Sequence, residues 1–94
     1  MFNSGNVIST CNMQTNSGNA AANQFEIVTT EGRMFQSYQT KIAFIANDGT
    51  VTLNEVYDHS KTTGKYRNMF LGEDKKATDR AVKNGEYRVA NLNA

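Results

Sequence analysis

The stretch from Thr40 to Tyr57, TKIAFIANDGTVTLNEVY, leaves the fewest folds open to this chain. Its first part sets Ile42 and Phe44 on one side of an extended backbone and Ala43 and Ile45 on the other, so both faces are apolar. That is the pattern of a central strand covered from above and below. Asn47-Asp48-Gly49-Thr50 follows, and because Asn, Asp and Gly tolerate positive φ, it reads as a hairpin turn. Val51, Leu53 and Tyr57 then alternate inward against outward Thr52 and Asn54, with Val56 breaking the register. A hairpin of this kind needs a covering layer, and the sequence supplies one immediately downstream.

Ser60 stands just before a helical pattern, placed to accept a free first-turn N–H, with Thr62 and Thr63 as competing caps. On a helical wheel Thr62, Tyr66, Met69 and Phe70 share a stripe roughly 100° wide, the face expected to rest on the sheet. Lys61, Lys65 and Asn68 fall on the opposite side, with Arg67 at its margin. Gly72 suits a left-handed helix end. Residues 73–85, EDKKATDRAVKNG, begin with two acids and end with Lys83, Asn84 and Gly85, which matches a second, largely superficial helix to its dipole. EYRVANL at 86–92 alternates again and reads as a returning strand or a segment along the sheet edge.

Upstream, FEIVTT at 25–30 sets Phe25 and Ile27 against Glu26 and Val28 as a first strand, Glu31-Gly32 connects it tightly, and RMFQSY at 33–38 continues extended. Residues 1–24 contain no charge and are dense in Asn, Ser, Gly and Ala. They read as a flexible N-terminal segment, with an edge strand built on Val7, Ile8 and Met13 as the alternative. The expected domains are therefore that segment, 1–24, and a small α+β domain, 25–94. Its expected sheet is a three- or four-stranded antiparallel meander, with two short helices packed after the third strand.

Composition narrows the functions open to such a domain. At 94 residues, 38% apolar and 20% charged, without Trp or Pro, it fits one modest core, which a homodimer would help to stabilise, and no run is long and apolar enough to span a membrane. No basic and apolar leader opens the sequence, so the expected location is cytoplasmic. A single Cys and a single His argue against a disulfide, a structural zinc site and any cofactor held by such ligands. Net charge is only +1, yet residues 1–58 set two cations against five acids, net −3, while residues 59–94 set eight against four, net +4. A basic C-terminal part points to an anionic partner, either nucleic acid or an acidic protein surface.

Ser60, Lys61, Thr63, Lys65, Arg67 and Asn68 gather hydroxyls, an amide and cations at one helix N-terminus, an arrangement that receives phosphate or carboxylate and makes these six the candidate partner-binding residues. A capped helix with a solvated basic face would carry the same residues. Gly64 is unusual there, since glycine inside a helix costs about 1 kcal/mol relative to Ala. It signals either close approach of a partner or a helix that starts later. Asp58 and His59 point to opposite sides of an extended chain and make a poor acid–base pair, and Cys11 lies in a segment with little to position it. The chain therefore reads as non-enzymatic.

Two blocks, SYQTKIAFI at 37–45 and HSKTTGKYRNMFL at 59–71, resemble the SYxTxIA and YSxTT motifs of a family of small phage and prophage α+β domains. The matching positions are Ser37, Tyr38, Thr40, Ile42 and Ala43, then Ser60, Thr62 and Thr63, while His59 stands where that family usually has Tyr. The resemblance implies a viral protein working in the host cytoplasm. Its expected role is inhibition of a host defence protein or ribonucleoprotein complex, in the manner of anti-CRISPR proteins, by protein–protein contact. Nucleic-acid binding through the basic helix 61–71 is the alternative.

Overall fold

The computed structural model describes residues 2–94. Six strands form one sheet in sequential order: β1 (Val7–Gln14), β2 (Ala20–Thr29), β3 (Gly32–Ser37), β4 (Thr40–Ala46), β5 (Val51–Asn54) and β6 (Arg88–Ala90). Two helices, α1 (Lys61–Leu71) and α2 (Lys75–Lys83), occupy the connection between β5 and β6. The α+β class with two helices agrees with the sequence expectation. The sheet is larger than expected and mixed, because β1 lies within the uncharged 1–24 segment and β6 pairs parallel with β5. The helices accordingly follow the fifth strand. A parallel return is the natural result of a helical crossover, which carries the chain back to the end where β5 began.

The first five strands are a meander joined by short turns. At the β2–β3 turn, Gly32 is required by close approach: an added Cβ would run into the Ile45 carbonyl and Ala46 Cα on β4. The expected turn between β4 and β5 forms, with Gly49 at φ 91° and Asp48 accepting from the Thr50 N–H at 2.9 Å. That hydrogen bond is the leading reason the Asp48 carboxyl lies below the usual carboxylate range.

Strand β4 departs from simple alternation. Phe35 pairs with Ala43 and Gln36 with Lys41, so Ile42 is an extra residue on the β4 side, a bulge. Its consequence is that Ile42 joins Ala43, Phe35 and Leu53 under α1, while Phe44 faces the other side of the sheet. Ile42 and Phe44 do not share a face, and α1 covers Ile42 and Leu53 without Phe44. Phe44 instead packs with Met34 and Leu92 and meets the Phe2 ring edge-on at 5.3 Å. The C-terminus is pinned there by side chains: Leu92 N–H donates to Asn54 Oδ1 at 3.0 Å, and Asn93 both accepts from the Lys41 N–H at 2.7 Å and donates to its carbonyl at 3.0 Å.

Helix α1 begins and ends where the sequence placed it. Ser60 is extended at φ −158° and its hydroxyl accepts from the Thr63 N–H, and Gly72 closes the helix at φ 71° with its N–H on the Asn68 carbonyl. The buried stripe is nevertheless rotated from the wheel reading. Thr63, Tyr66, Arg67 and Phe70 are buried, while Thr62 and Met69 are exposed. A wheel scored on hydropathy favours Met69 over Arg67. The sheet beneath decides otherwise, because it offers Ser37 Oγ to Thr63 Oγ1 at 3.0 Å and the loop before α1 offers the Tyr57 carbonyl to Arg67 Nη1 at 2.8 Å.

Beneath the same helix lies Gln24, 1% exposed and paired across the sheet with Ser37. Neither atom of its amide has a hydrogen-bond partner in the protein. Its strand partner Ser37 meets the buried Thr63 hydroxyl, so these polar groups lie together beneath α1.

Candidate binding surface at the first helix

The two sequence blocks singled out above come together in space. Ser37, Tyr38 and Thr40 from the β3–β4 turn, with Ile42 behind them, face His59, Ser60 and Thr63 across a cleft of about 280 Å³. A chain of hydroxyls holds its walls: Ser37 Oγ lies 3.0 Å from Thr63 Oγ1, and Ser60 Oγ donates to Thr63 Oγ1 at 3.3 Å while accepting from the Thr63 N–H at 3.2 Å. Thr63 thus ties the cap of α1 to the sheet, so the position of the helix and the shape of the cleft are set by one contact network.

Tyr38 sits at the rim in a conformation that side chains seldom adopt, φ 57°, with its residue 56% exposed. The left-handed region costs a non-glycine residue about 1 kcal/mol or more. Its backbone is held by the Tyr38 N–H donating to the Asn23 carbonyl at 2.6 Å and by Gln36 Nε2 donating to the Tyr38 carbonyl at 2.9 Å. The outcome is a rigid turn that holds an aromatic ring in solvent beside the cleft.

Ser60 also borders a second groove of about 400 Å³ on the other flank of α1. Gly64 forms part of its floor, and Lys61, Lys65 and Lys75 stand around it, with the Asp58 carboxylate beside Lys75. Arg67, 1% exposed, lies directly under Gly64: a Cβ built there would meet Arg67 Nη2 at 3.7 Å and Asp58 Oδ1 at 3.9 Å, ordinary contact distances. Neither sterics nor a positive φ therefore demands glycine at this position, and the helix does not start after it. Glycine simply leaves the floor one methyl lower.

The six candidate residues divide. Lys61 and Lys65 are exposed, and Ser60 is exposed at the junction of both depressions. Asn68 is half-buried and accepts from Arg67 Nη2 at 3.0 Å. Thr63 and Arg67 are buried and hold the helix in place, so Arg67 lies inside the basic face expected to carry it outward. Its guanidinium also lies 5.7 Å from the Tyr57 ring and 3.5 Å from the Asp58 carboxylate, which is itself half-exposed.

The residue that hydropathy and spacing did not place here is Lys75, contributed by the first turn of α2. It donates to Asp79 at 2.7 Å and reaches Asp58 at 3.5 Å. The Lys75 hydrogen bond is the main cause that lowers the Asp79 carboxyl, helped by the Tyr57 hydroxyl, which donates to Asp79 at 2.9 Å. Burial and that same bond raise the Tyr57 phenol, and the Asp79 bond raises Lys75. Further along, Tyr87 donates to Glu73 at 2.6 Å, and burial with this bond pushes its phenol up to about 12. The Tyr57–Asp79 and Lys75–Asp58 contacts fix α2 against the loop that precedes α1, and the Tyr87–Glu73 bond ties together the segments on either side of α2. Among the described residues no three His, Cys, Asp or Glu side chains gather to hold a metal ion.

Fold and surface together define a small α+β scaffold: a mixed sheet, one helical layer, and a hydroxyl-lined cleft where helix and sheet meet. Among the described residues, no helix is long and apolar enough to cross a membrane. The chain belongs to a family of unknown function, DUF8033, whose family model matches residues 8–86, from the first strand through the second helix. No curated protein and no solved structure matches it.

Proposed function

We propose that this chain is a non-enzymatic binding protein that docks an anionic surface of a partner protein on the N-terminal half of α1. Ser60, Lys61, Lys65 and Lys75 make the contact, and Thr63, Arg67 and Asn68 hold the shape beneath it. The resemblance of its two blocks to phage and prophage domains makes the partner a host defence complex, which the protein inhibits by occupying it. The observation that carries this reading is Gly64. A mid-helix glycine with room for a methyl forgoes about 1 kcal/mol of stability, and what it gives in return is an open groove floor between three lysines.

Stability and binding then move in opposite directions in one variant. Gly64→Ala raises the unfolding free energy by about 0.5–1 kcal/mol and weakens inhibition of the target complex at least tenfold. Lys61→Glu and Lys65→Glu together abolish inhibition while leaving the fold intact, because both residues are exposed. Candidate host effector complexes assayed with and without each variant provide the measurement. Full inhibition by both variants removes this surface from the account.

Nucleic acid is the second reading, favoured by the exposed Tyr38 ring on the cleft that shares Ser60 with the lysine-lined groove, where an unpaired base would stack. Its mark is an affinity for labelled oligonucleotides that falls steeply with salt and with Tyr38→Ala. Unchanged anisotropy of single- and double-stranded probes at low salt rules it out.

A further inference from the structure

The two edges of the sheet are built differently. β6 is three residues long, carries the cation Arg88, and is followed at once by a turn that the Asn93 side chain ties back to Lys41. Short, charged edges that end promptly resist pairing with another strand. β1 has none of these features. It runs eight residues, VISTCNMQ, without a charged residue or a proline, and every residue but Met13 is exposed. Val7 and Ile8 are each 65% exposed. Only Met13 packs against the core, and the outer row of backbone donors and acceptors of β1 has no strand beside it among the described residues.

We propose that β1 pairs with β1 of a second copy of this chain, antiparallel about a two-fold axis, joining two six-stranded sheets into one. Three observations select a second copy as the occupant. An uncharged strand opposes its own copy without like-charge contacts on either face, which a strand bearing lysines or acids does not. Self-pairing is isologous and closes at two subunits, whereas joining β1 to β6 is head-to-tail and meets the short, Arg88-bearing edge. Exposed Val7 and Ile8 gain cover from the neighbouring strand.

The register follows from symmetry. A two-fold axis perpendicular to an antiparallel pair places one residue opposite its own copy, because opposite side chains must share a face. β1 carries irregularities between Val7 and Ser9 and between Asn12 and Gln14, so its regular stretch is Ser9–Asn12. The axis therefore falls at Thr10 or at Cys11. With Cys11 on the axis the two Cβ atoms stand about 5 Å apart; with Thr10 there the two cysteines are diagonal neighbours at about 7–8 Å. Cys11 is exposed and serves as a reporter in either register.

The test is sedimentation velocity of the full chain from about 1 µM to about 1 mM, since one strand pair is a small interface and associates weakly. The expected result is a shift from a 10.4 kDa species to one of twice that mass as concentration rises. Thr10→Lys, an exposed substitution that sets two cations opposite or diagonal to each other in either register, keeps the protein monomeric across the range with an unchanged melt at low concentration. A short bis-maleimide reagent cross-links the wild-type chain through Cys11 with a yield that follows dimer content, and fails with Thr10→Lys. A monomer at every concentration overturns the proposal. So does a dimer that survives Thr10→Lys and resists Cys11 cross-linking, because its contact then lies elsewhere. Docking at α1 stands or falls separately from either result.

Discussion

Replacing Arg67 tests whether one buried cation, drawn from a face that looks solvated in the sequence, holds α1 to its loop. The guanidinium is 1% exposed and donates to the Tyr57 carbonyl at 2.8 Å and to Asn68 Oδ1 at 3.0 Å. Hydrogen bonds from a charged donor contribute about 1.5–3 kcal/mol each, and the removed stem leaves a gap under Gly64. Arg67→Ala should therefore cost about 3–5 kcal/mol, close to the upper range for one substitution. In a domain of this size that lowers the melting temperature by roughly 15–30 °C. Asp58→Asn makes the internal control. Its carboxylate is half-exposed and 3.5 Å from Arg67, so the loss should stay below about 1 kcal/mol and fade in about 1 M salt. Urea melts of both variants, at low and high salt, provide the comparison. A loss below about 1 kcal/mol for Arg67→Ala, or equal losses for the two, would refute the reasoning by showing that the carbonyl and amide contacts carry little.

Two further outcomes follow from groups beneath and beside α1. Gln24→Met replaces an amide without a protein partner by an apolar side chain of similar volume, and should raise stability by about 1–3 kcal/mol in urea melts; a loss would mean that the amide is satisfied in solution. Tyr87 has its phenol raised from 10.0 to about 12 by burial and the Glu73 bond, so the folded state holds this proton more tightly than the unfolded chain does. The stability it contributes is complete below pH 10 and is lost as pH climbs from 10 to 12, with Tyr57 shifted the same way. Melts across that window should fall steeply for the wild type and less steeply for Tyr87→Phe, and identical slopes would remove Tyr87 from the alkaline limb.

Much of the fold was legible in local pattern. The Asn47–Thr50 turn, the Ser60 cap, the Gly72 stop and the basic end of the second helix all act over a few residues, through backbone φ, capping bonds and the helix dipole, and each forms where the sequence places it; the two acids fall just before α2, with Asp74 as its cap. The candidate surface was legible in outline for the same reason: Ser60, Lys61 and Lys65 are local to one helix start. What sequence alone did not determine depends on partners distant along the chain. Whether Arg67 turns inward was decided by the Tyr57 carbonyl waiting beneath it, and the phase of α1 by the Ser37 hydroxyl. Phe44 was sent to the far face by a one-residue bulge, which no periodicity reveals. Lys75 joined the groove only when α2 folded back, and Val7–Gln14, which lends only Met13 to the core, took its place as β1 along β2. Short-range rules set where elements begin and end; which of their faces is buried is a property of the surfaces they meet.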